Sequence, residues 1–120
     1  MKKLAPKFYC EGLGCGQSII KAAAVKYRLG LDGLEKAVLA AGNGFGYGGL
    51  CAAVAAVILI FGFMFDETTV KRCRILFVDR FQQKYGSLNC CSLSSCHSCD
   101  DIIAAAADIA DKIIYDELYR

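Results

Sequence analysis

The chain has 120 residues, of which 56% are hydrophobic, and its formal net charge is only +2. A chain of this length and composition can bury one core without covalent cross-links, so we expect a single domain over residues 1–120. The low net charge, without a long basic or acidic run, argues against nucleic acid and against an anionic membrane surface as partners.

Helical periodicity begins at Cys15. Before it, residues 1–14 show no periodicity and contain a proline and two glycines, so we expect an irregular lead-in. The first helix is predicted from the apolar residues that recur at helical spacing before Gly30 stops the pattern, namely Ile19, Ile20, Ala23, Ala24 and Tyr27. A short second helix is predicted from Asp32 to about Ala41.

A glycine-rich segment leads into the most apolar part of the chain. Five glycines between residues 42 and 49 predict a tightly shaped loop, and Cys51 follows it closely. The next predicted helix, residues 50–65, carries no charge before Asp66, but it is shorter than the roughly 20 residues that a bilayer core requires. We therefore expect it to lie at the centre of the protein, surrounded by other helices, and not in a membrane.

Two further helices are predicted after the central one. Asp66 is the predicted N-cap and Gly86 the predicted C-cap of a fourth helix, whose apolar face includes Cys73 as a buried structural thiol. A cysteine-rich loop is expected over residues 86–98, after which Ser98 caps a fifth helix with a clear apolar stripe. Because no segment alternates with period two, the sequence predicts an all-α fold of about five helices bundled around the central apolar helix.

Eight cysteines are many for a chain of this size. The residues after Met1 include charges, a proline and glycines where a secretory signal would be apolar, so no signal peptide is predicted. A reducing cytoplasm is then the expected compartment. Cysteine-rich cytoplasmic chains more often bind metals or carry out redox chemistry than form structural disulfides.

Three cysteines lie at predicted helix starts, namely Cys15, Cys51 and Cys99, and Cys90 lies in the loop before the last helix. A helix N-terminus stabilises a thiolate, so we expect the three helix-start thiols to be more acidic than Cys73. If the helix starts converge, the thiolates can hold an iron–sulfur cluster or zinc, or can cycle between dithiol and disulfide. The alternative is that these cysteines are small buried residues or loop residues without a chemical role.

Four short motifs occur along the chain in an informative order. They are CGQS at 15–18, GLCA at 49–52, FQQKYGSLNC at 81–90 and CDDI at 99–102. Over residues 15–118 this order resembles the redox-active family named for its C-GCAxxG-C-C pattern, although LCAAVA at 50–55 lacks both glycines of GCAxxG. The chain also looks like the domain found in split-Soret cytochromes, which implies a cluster-binding role. The family resemblance implies four functional cysteines, carried here onto Cys15, Cys51, Cys90 and Cys99.

The remaining residues of the cysteine-rich loop lie outside this family pattern. The spacing C-x4-C-H that ends at His97 is longer than the C-x-x-C-H of covalent haem attachment, and the chain has no second histidine. Covalent haem is therefore not expected. Zinc is the alternative cofactor, bound by some of the thiols and the imidazole of Cys90, Cys91, Cys96, His97 and Cys99.

Taken together, these features predict a small redox-active or electron-transfer protein, either a thiol-based oxidoreductase or an electron carrier. Its cysteines would form an iron–sulfur or other metal site, or an exchangeable dithiol. Its partner would be a redox protein or a small-molecule redox substrate, and a homodimer is compatible with this interpretation. The competing hypothesis is a non-catalytic helical interaction module with a structural zinc site in the 90–99 loop.

Overall fold

The computed structural model describes the backbone of residues 1–120 and the side chains of all of them except Ser95 and Cys96. Within this described part, beyond one isolated bridge between Leu50 and Asn89, no strand forms, and the all-α prediction is confirmed. A 3-10 turn spans Val38–Ala41 and a π-turn spans Gly44–Gly48. The α-helices in chain order are α1 (Leu4–Cys10), α2 (Cys15–Tyr27), α3 (Asp32–Ala37), α4 (Ala52–Met64), α5 (Glu67–Tyr85), α6 (Cys90–Cys96) and α7 (Cys99–Leu118).

Helix α4 forms the centre of the bundle, as predicted, with contacts to α2, α5 and α7. The side chains of its first turns are buried on every side, since Ala52 to Val57 are all buried. Near its C-terminal end, Phe61 packs edge-on against Phe77 of α5 at a ring-centroid distance of 6.1 Å. Full burial of each such apolar side chain stabilises the fold by about 1.5–3 kcal/mol, which makes the α4–α5 contact a major part of the core.

In the part of the chain that the structure describes, no helix combines enough length with enough apolar character to pass through a bilayer.

Side-chain and glycine caps set the ends of the two longest helices. The carboxylate of Asp66 accepts a hydrogen bond from the Thr69 N–H at 3.0 Å, and Asp66 is thereby the N-cap of α5. Gly86, with φ +74°, ends α5 in the left-handed conformation that favours glycine. The Ser98 hydroxyl accepts from the Asp101 N–H at 3.3 Å and begins α7. These three predicted caps are confirmed.

The prediction of an irregular lead-in over residues 1–14 is wrong for its middle part, because Leu4–Cys10 forms α1. Pro6 is tolerated there because the N–H groups of a first helical turn have no partner within the helix. Ala5 and Phe8 are buried, and α1 packs on α2 and α7. Tertiary contacts therefore stabilise a helix that is too short to be stable alone.

The prediction of a loop over residues 86–98 is also wrong in part, because Cys90–Cys96 forms α6. Its sequence is polar, but Leu93 is buried and holds the helix against the core. Leu93 is the one buried side chain among residues 90–94, the part of α6 whose side chains are described, and a single buried residue leaves no periodic pattern for sequence analysis to detect.

Asp111 connects α7 to the N-terminal part of the fold. Its carboxylate lies 2.6 Å from the α-amino group of Met1, 2.5 Å from the hydroxyl of Tyr27 and 3.0 Å from Nζ of Lys26. Burial acts to raise the pKa of Asp111, but these hydrogen bonds outweigh burial, so the pKa is lowered. The ionised carboxylate is thus a stabilising group of the folded state.

Candidate functional site

Four cysteines from four different helix starts line one cavity of about 390 Å³. Cys15, Cys90 and Cys99 are the first residues of α2, α6 and α7, and Cys51 is the N-cap of α4. Cys51 is buried, whereas the other three are half-buried. The fold therefore brings together all four cysteines named from the sequence, and it places Cys73 elsewhere, in the interior of α5.

The start of α2 is shaped so that it can approach α4 closely. A Cβ atom on Gly16 would lie 2.9 Å from Val38 Cγ2 and 3.3 Å from the Ala52 carbonyl oxygen. Only glycine fits this gap without displacing its neighbours. The side chain of Gln17 accepts a hydrogen bond from the Gly14 N–H at 3.2 Å and caps the helix start. Gly16 and Gln17 of the CGQS motif therefore place Cys15 beside the start of α4.

The glycine-rich segment positions Cys51 and Cys90. The Cys90 N–H donates to the Gly49 carbonyl at 2.6 Å, and the Cys51 N–H donates to the Leu88 carbonyl at 2.9 Å. Gly44 adopts φ +61°, and a Cβ atom there would lie 2.6 Å from the Gly49 carbonyl oxygen and 2.9 Å from Cys90 Cβ. The segment thus folds tightly against the start of α6 and fixes two of the four thiols.

The cavity lining is mostly apolar and uncharged over the residues that the structure describes. Gly42 and Asn43 of the glycine-rich segment contribute to the lining, and Ser94 adds a hydroxyl. No described lining residue carries a charged side chain. The apolar part of the lining consists of Ala52, Ala53, Leu93, Ile102 and Ile103.

Tyr9 is a site residue that the sequence analysis missed. It lies on α1, lines the cavity, and is half-buried. A hydrogen bond with Cys99 is the largest cause that raises the pKa of the Tyr9 hydroxyl to about 12. The only available sequence signal was the apolar spacing of Leu4, Ala5 and Phe8, which is too short to identify a helix with confidence.

The electrostatic environment differs from the one that helix position predicts. Burial, followed by the neighbouring thiols of Cys99 and Cys51, raises the pKa of Cys15 to about 12. Burial also raises the pKa of Cys51, although the N–H groups of Val54 and Ala53 act to lower it. The prediction of an acidic thiol is therefore wrong for Cys15, because desolvation outweighs the helix N-terminus. Burial raises the pKa of both Cys51 and Cys73, so the higher acidity expected for Cys51 stays a prediction.

Cys15 and Cys99 lie close together in the cavity. A hydrogen bond with Cys99 is among the causes that raise the pKa of the Cys15 thiol. Cys99 also contributes to the raised pKa of the Tyr9 hydroxyl, so a thiol and a phenol both lie near Cys99. Cys51 and Cys90 are near enough to influence this pair electrostatically.

The secondary candidates from the cysteine-rich segment are distributed differently. Cys91 is exposed beside Gly48, and His97 is exposed with its ring 4.8 Å from the ring of Tyr85; neither lines the cavity. The side chain of Cys96 lies outside the described residues.

Thiolates are suitable ligands for zinc and for iron–sulfur clusters, so the donor chemistry of the cavity fits either group. Among the described side chains, however, no group of three or more His, Cys, Asp or Glu residues is arranged to hold a metal ion. The assignment of a metal or redox role to the four cysteines stays a prediction.

Comparison with known proteins supplies the family. Searches of curated proteins and of solved structures gave no match to the chain. The family described as "Putative redox-active protein (C_GCAxxG_C_C)" matches residues 13–113, which include all four cysteines of the cavity. Because this match covers most of the chain, the protein belongs to the C_GCAxxG_C_C family.

Proposed function

We propose that this protein carries out thiol-based redox chemistry in which Cys15 and Cys99 interconvert between a dithiol and a disulfide. The observation that supports the proposal is the interaction between these two thiols inside a cavity shared with two more cysteines. In the oxidative direction, the two thiols together lose two electrons and two protons as the S–S bond forms. A disulfide substrate accepts the electrons and protons and becomes two thiols.

The surroundings of the pair give its two sulfurs different roles. The Tyr9 hydroxyl lies near Cys99, and Cys99 is also the first residue of α7. We assign the attacking role to Cys99 because a thiolate, the nucleophilic form of cysteine, can accept a hydrogen bond from a phenol and interacts favourably with a helix N-terminus. Cys15 has a raised pKa, so it stays a thiol until a mixed disulfide has formed beside it. Cys99 is then the attacking thiol and Cys15 the resolving thiol.

Disulfide mapping tests this proposal directly. Reduced, metal-free protein would be equilibrated in mixtures of oxidised and reduced dithiothreitol, and the free thiols would then be alkylated and identified by peptide mass spectrometry. We expect one Cys15–Cys99 disulfide, absent from Cys99→Ser and retained in Cys10→Ser. Failure of this pair to form, or its replacement by a Cys15–Cys51 disulfide, would contradict the assignment.

An iron–sulfur cluster is the second candidate, because four thiols line a single cavity. Cys15, Cys51, Cys90 and Cys99 would hold the cluster, which would supply one-electron transfer when bound. Anaerobic reconstitution with iron and sulfide should then give visible charge-transfer absorption. In this case Cys51→Ser and Cys90→Ser should abolish the absorption, whereas the dithiol mechanism predicts that both variants still form the Cys15–Cys99 disulfide.

A further inference from the structure

The lining of the cysteine cavity limits the substrates that can react there. Its volume of about 390 Å³ lies near the small end of the roughly 300–1,000 Å³ range of small-molecule sites. Side chains of Leu93, Ile102 and Ile103 line it, and the polar side chains nearby are those of Tyr9, Asn43, Ser94 and the cysteines. A charged group inside the cavity would thus lose water and gain no countercharge from the described lining residues.

We propose that the oxidising substrate of this site is a small, uncharged organic disulfide and that the cavity discriminates against disulfides carrying carboxylates. This inference rests on the proposed function of Cys15 and Cys99. It follows from two features of the described lining. No lining side chain is cationic. The N–H groups at the starts of α4 and α7, which could otherwise attract an anion, already have acceptors in Cys51 and Ser98. A carboxylate would be desolvated beside sulfurs that become negatively charged during exchange, and the two charges would repel each other.

The exchange takes place in two displacements. The Cys99 thiolate attacks one sulfur of the substrate R–S–S–R, the substrate S–S bond breaks, and RS⁻ leaves and takes up a proton from solvent. The Cys15 sulfur then loses its proton to solvent and attacks the Cys99 sulfur of the mixed disulfide. The bond between Cys99 and the substrate sulfur breaks, and a second RS⁻ leaves and is protonated. The protein is oxidised by two electrons, and the substrate is reduced to two molecules of RSH.

The proposal predicts an order of rates for disulfides of similar size and different charge. Reduced, metal-free protein would be mixed under single-turnover conditions with bis(2-hydroxyethyl) disulfide, with the dianion of 3,3′-dithiodipropionic acid, or with dicationic cystamine. Formation of the Cys15–Cys99 disulfide would be followed by acid quenching and mass spectrometry. Each rate would be divided by that of a free cysteine derivative with the same probe, which removes differences in intrinsic reactivity. We expect the neutral probe to react at least about tenfold faster than the dianion after this correction.

Ser94 offers a matched pair of variants. It is an exposed residue of α6 that lines the cavity, so a larger side chain there need not disturb the core. Ser94→Lys adds a positive charge at the wall, and Ser94→Gln adds bulk without charge. We expect Ser94→Lys to speed the reaction of the dianion several-fold relative to Ser94→Gln, while the two variants react similarly with the neutral probe.

The outcomes separate the substrate inference from the function on which it rests. Equal corrected rates for neutral and anionic probes, or a dianion rate that does not change in Ser94→Lys, would overturn the substrate inference while leaving the redox pair intact. If neither the probes nor oxidised dithiothreitol produces a Cys15–Cys99 disulfide, the proposed function itself fails.

Discussion

Cys51 and Cys73 are both buried thiols, yet they lie in opposite kinds of environment. Cys73 is in the interior of α5, packed in the core. It is not among the described residues that line the cavity of the other four cysteines. Cys51 precedes α4 and faces three other thiols across a cavity. Burial raises the pKa of both, so burial does not distinguish them. The two thiols are distinguished by their positions, one at a helix start and the other in a helix interior.

This contrast explains how residues far apart in sequence reach one site. Side chains in helix interiors are buried at many places along the bundle. Each helix has only one N-terminus, so cysteines at helix starts come together wherever those starts meet. When the starts of α2, α4, α6 and α7 meet, a cysteine at each start gives four thiols around one cavity. The aromatic core on the Cys73 side of the bundle supplies stability, and the helix starts hold the cysteines for which we propose redox chemistry. Substitutions in the two regions should therefore have different consequences.

Phe77→Ala should have the largest effect on stability. Phe77 is fully buried between Phe61 and Phe81, with ring-centroid distances of 6.1 and 5.8 Å. Removing the ring leaves a cavity and should lower the free energy of unfolding by about 3–5 kcal/mol, measured by urea denaturation. Ile75→Ala is the control on the same helix, because Ile75 is 66% exposed. In protein that remains folded, the Cys15–Cys99 disulfide should still form, and its loss would show that core and site are not separable.

Among substitutions near the cavity, Gly44→Ala should lower the free energy of unfolding most strongly. The left-handed conformation alone costs about 1–2 kcal/mol for a residue with a side chain, and contact with Gly49 and Cys90 adds about 1–3 kcal/mol of overpacking. Gly46→Ala is the matched control, because Gly46 has φ +83° and a Cβ there meets nothing within 4 Å. Urea denaturation should show a larger loss for Gly44→Ala. Equal losses would mean that close packing of the loop on α6 contributes little.

The sequence predicted the long elements well because each carries its own signal. The apolar stripe of α7 and the charge-free run of α4 each extend over ten or more residues, and the caps of α5 are single residues with strong local preferences. Helices α1 and α6 have only seven residues each, and tertiary packing through Phe8 and Leu93 holds them in place. No local pattern contains that information.

The sequence predicted the cysteines of the candidate site, but it did not predict the residues and the burial around them. Helix-start positions and the family pattern both indicated Cys15, Cys51 and Cys99. Tyr9 was missed because α1 was missed. The direction of the pKa shift of Cys15 was wrong because burial depends on how helices pack together, whereas the helix N-terminus is a local feature.

Asp111→Asn tests the stabilising contacts away from the cavity. The carboxylate accepts charge-assisted hydrogen bonds from the Met1 amine and Lys26, so the variant should lose about 1.5–3 kcal/mol at neutral pH. The folded-state pKa of Asp111 is lowered, so its contribution is fully present above the unfolded pKa of about 3.9 and is lost as pH falls further. Urea denaturation from pH 7 to pH 3 should therefore show a smaller acid-induced loss in Asp111→Asn than in the parent protein. Parallel profiles would contradict this role.

Tyr9→Phe should have the smallest effect. It tests whether the Tyr9 hydroxyl changes the reaction rate of Cys99 and not that of a cysteine outside the cavity. The hydroxyl interacts with Cys99, and the ring lines the cavity, so removal of the oxygen alone keeps the wall and deletes the donor. A net hydrogen bond of about 0.5–1.5 kcal/mol corresponds to a roughly two- to tenfold lower rate of reaction of Cys99 with a neutral disulfide. The stability of the protein should change little. Tyr115→Phe, at an exposed position of α7, controls for the loss of a phenol elsewhere. Peptide-resolved labelling should show slower reaction at Cys99 in Tyr9→Phe only, whereas an equal decrease at Cys91, which does not line the cavity, would indicate a general change in the fold.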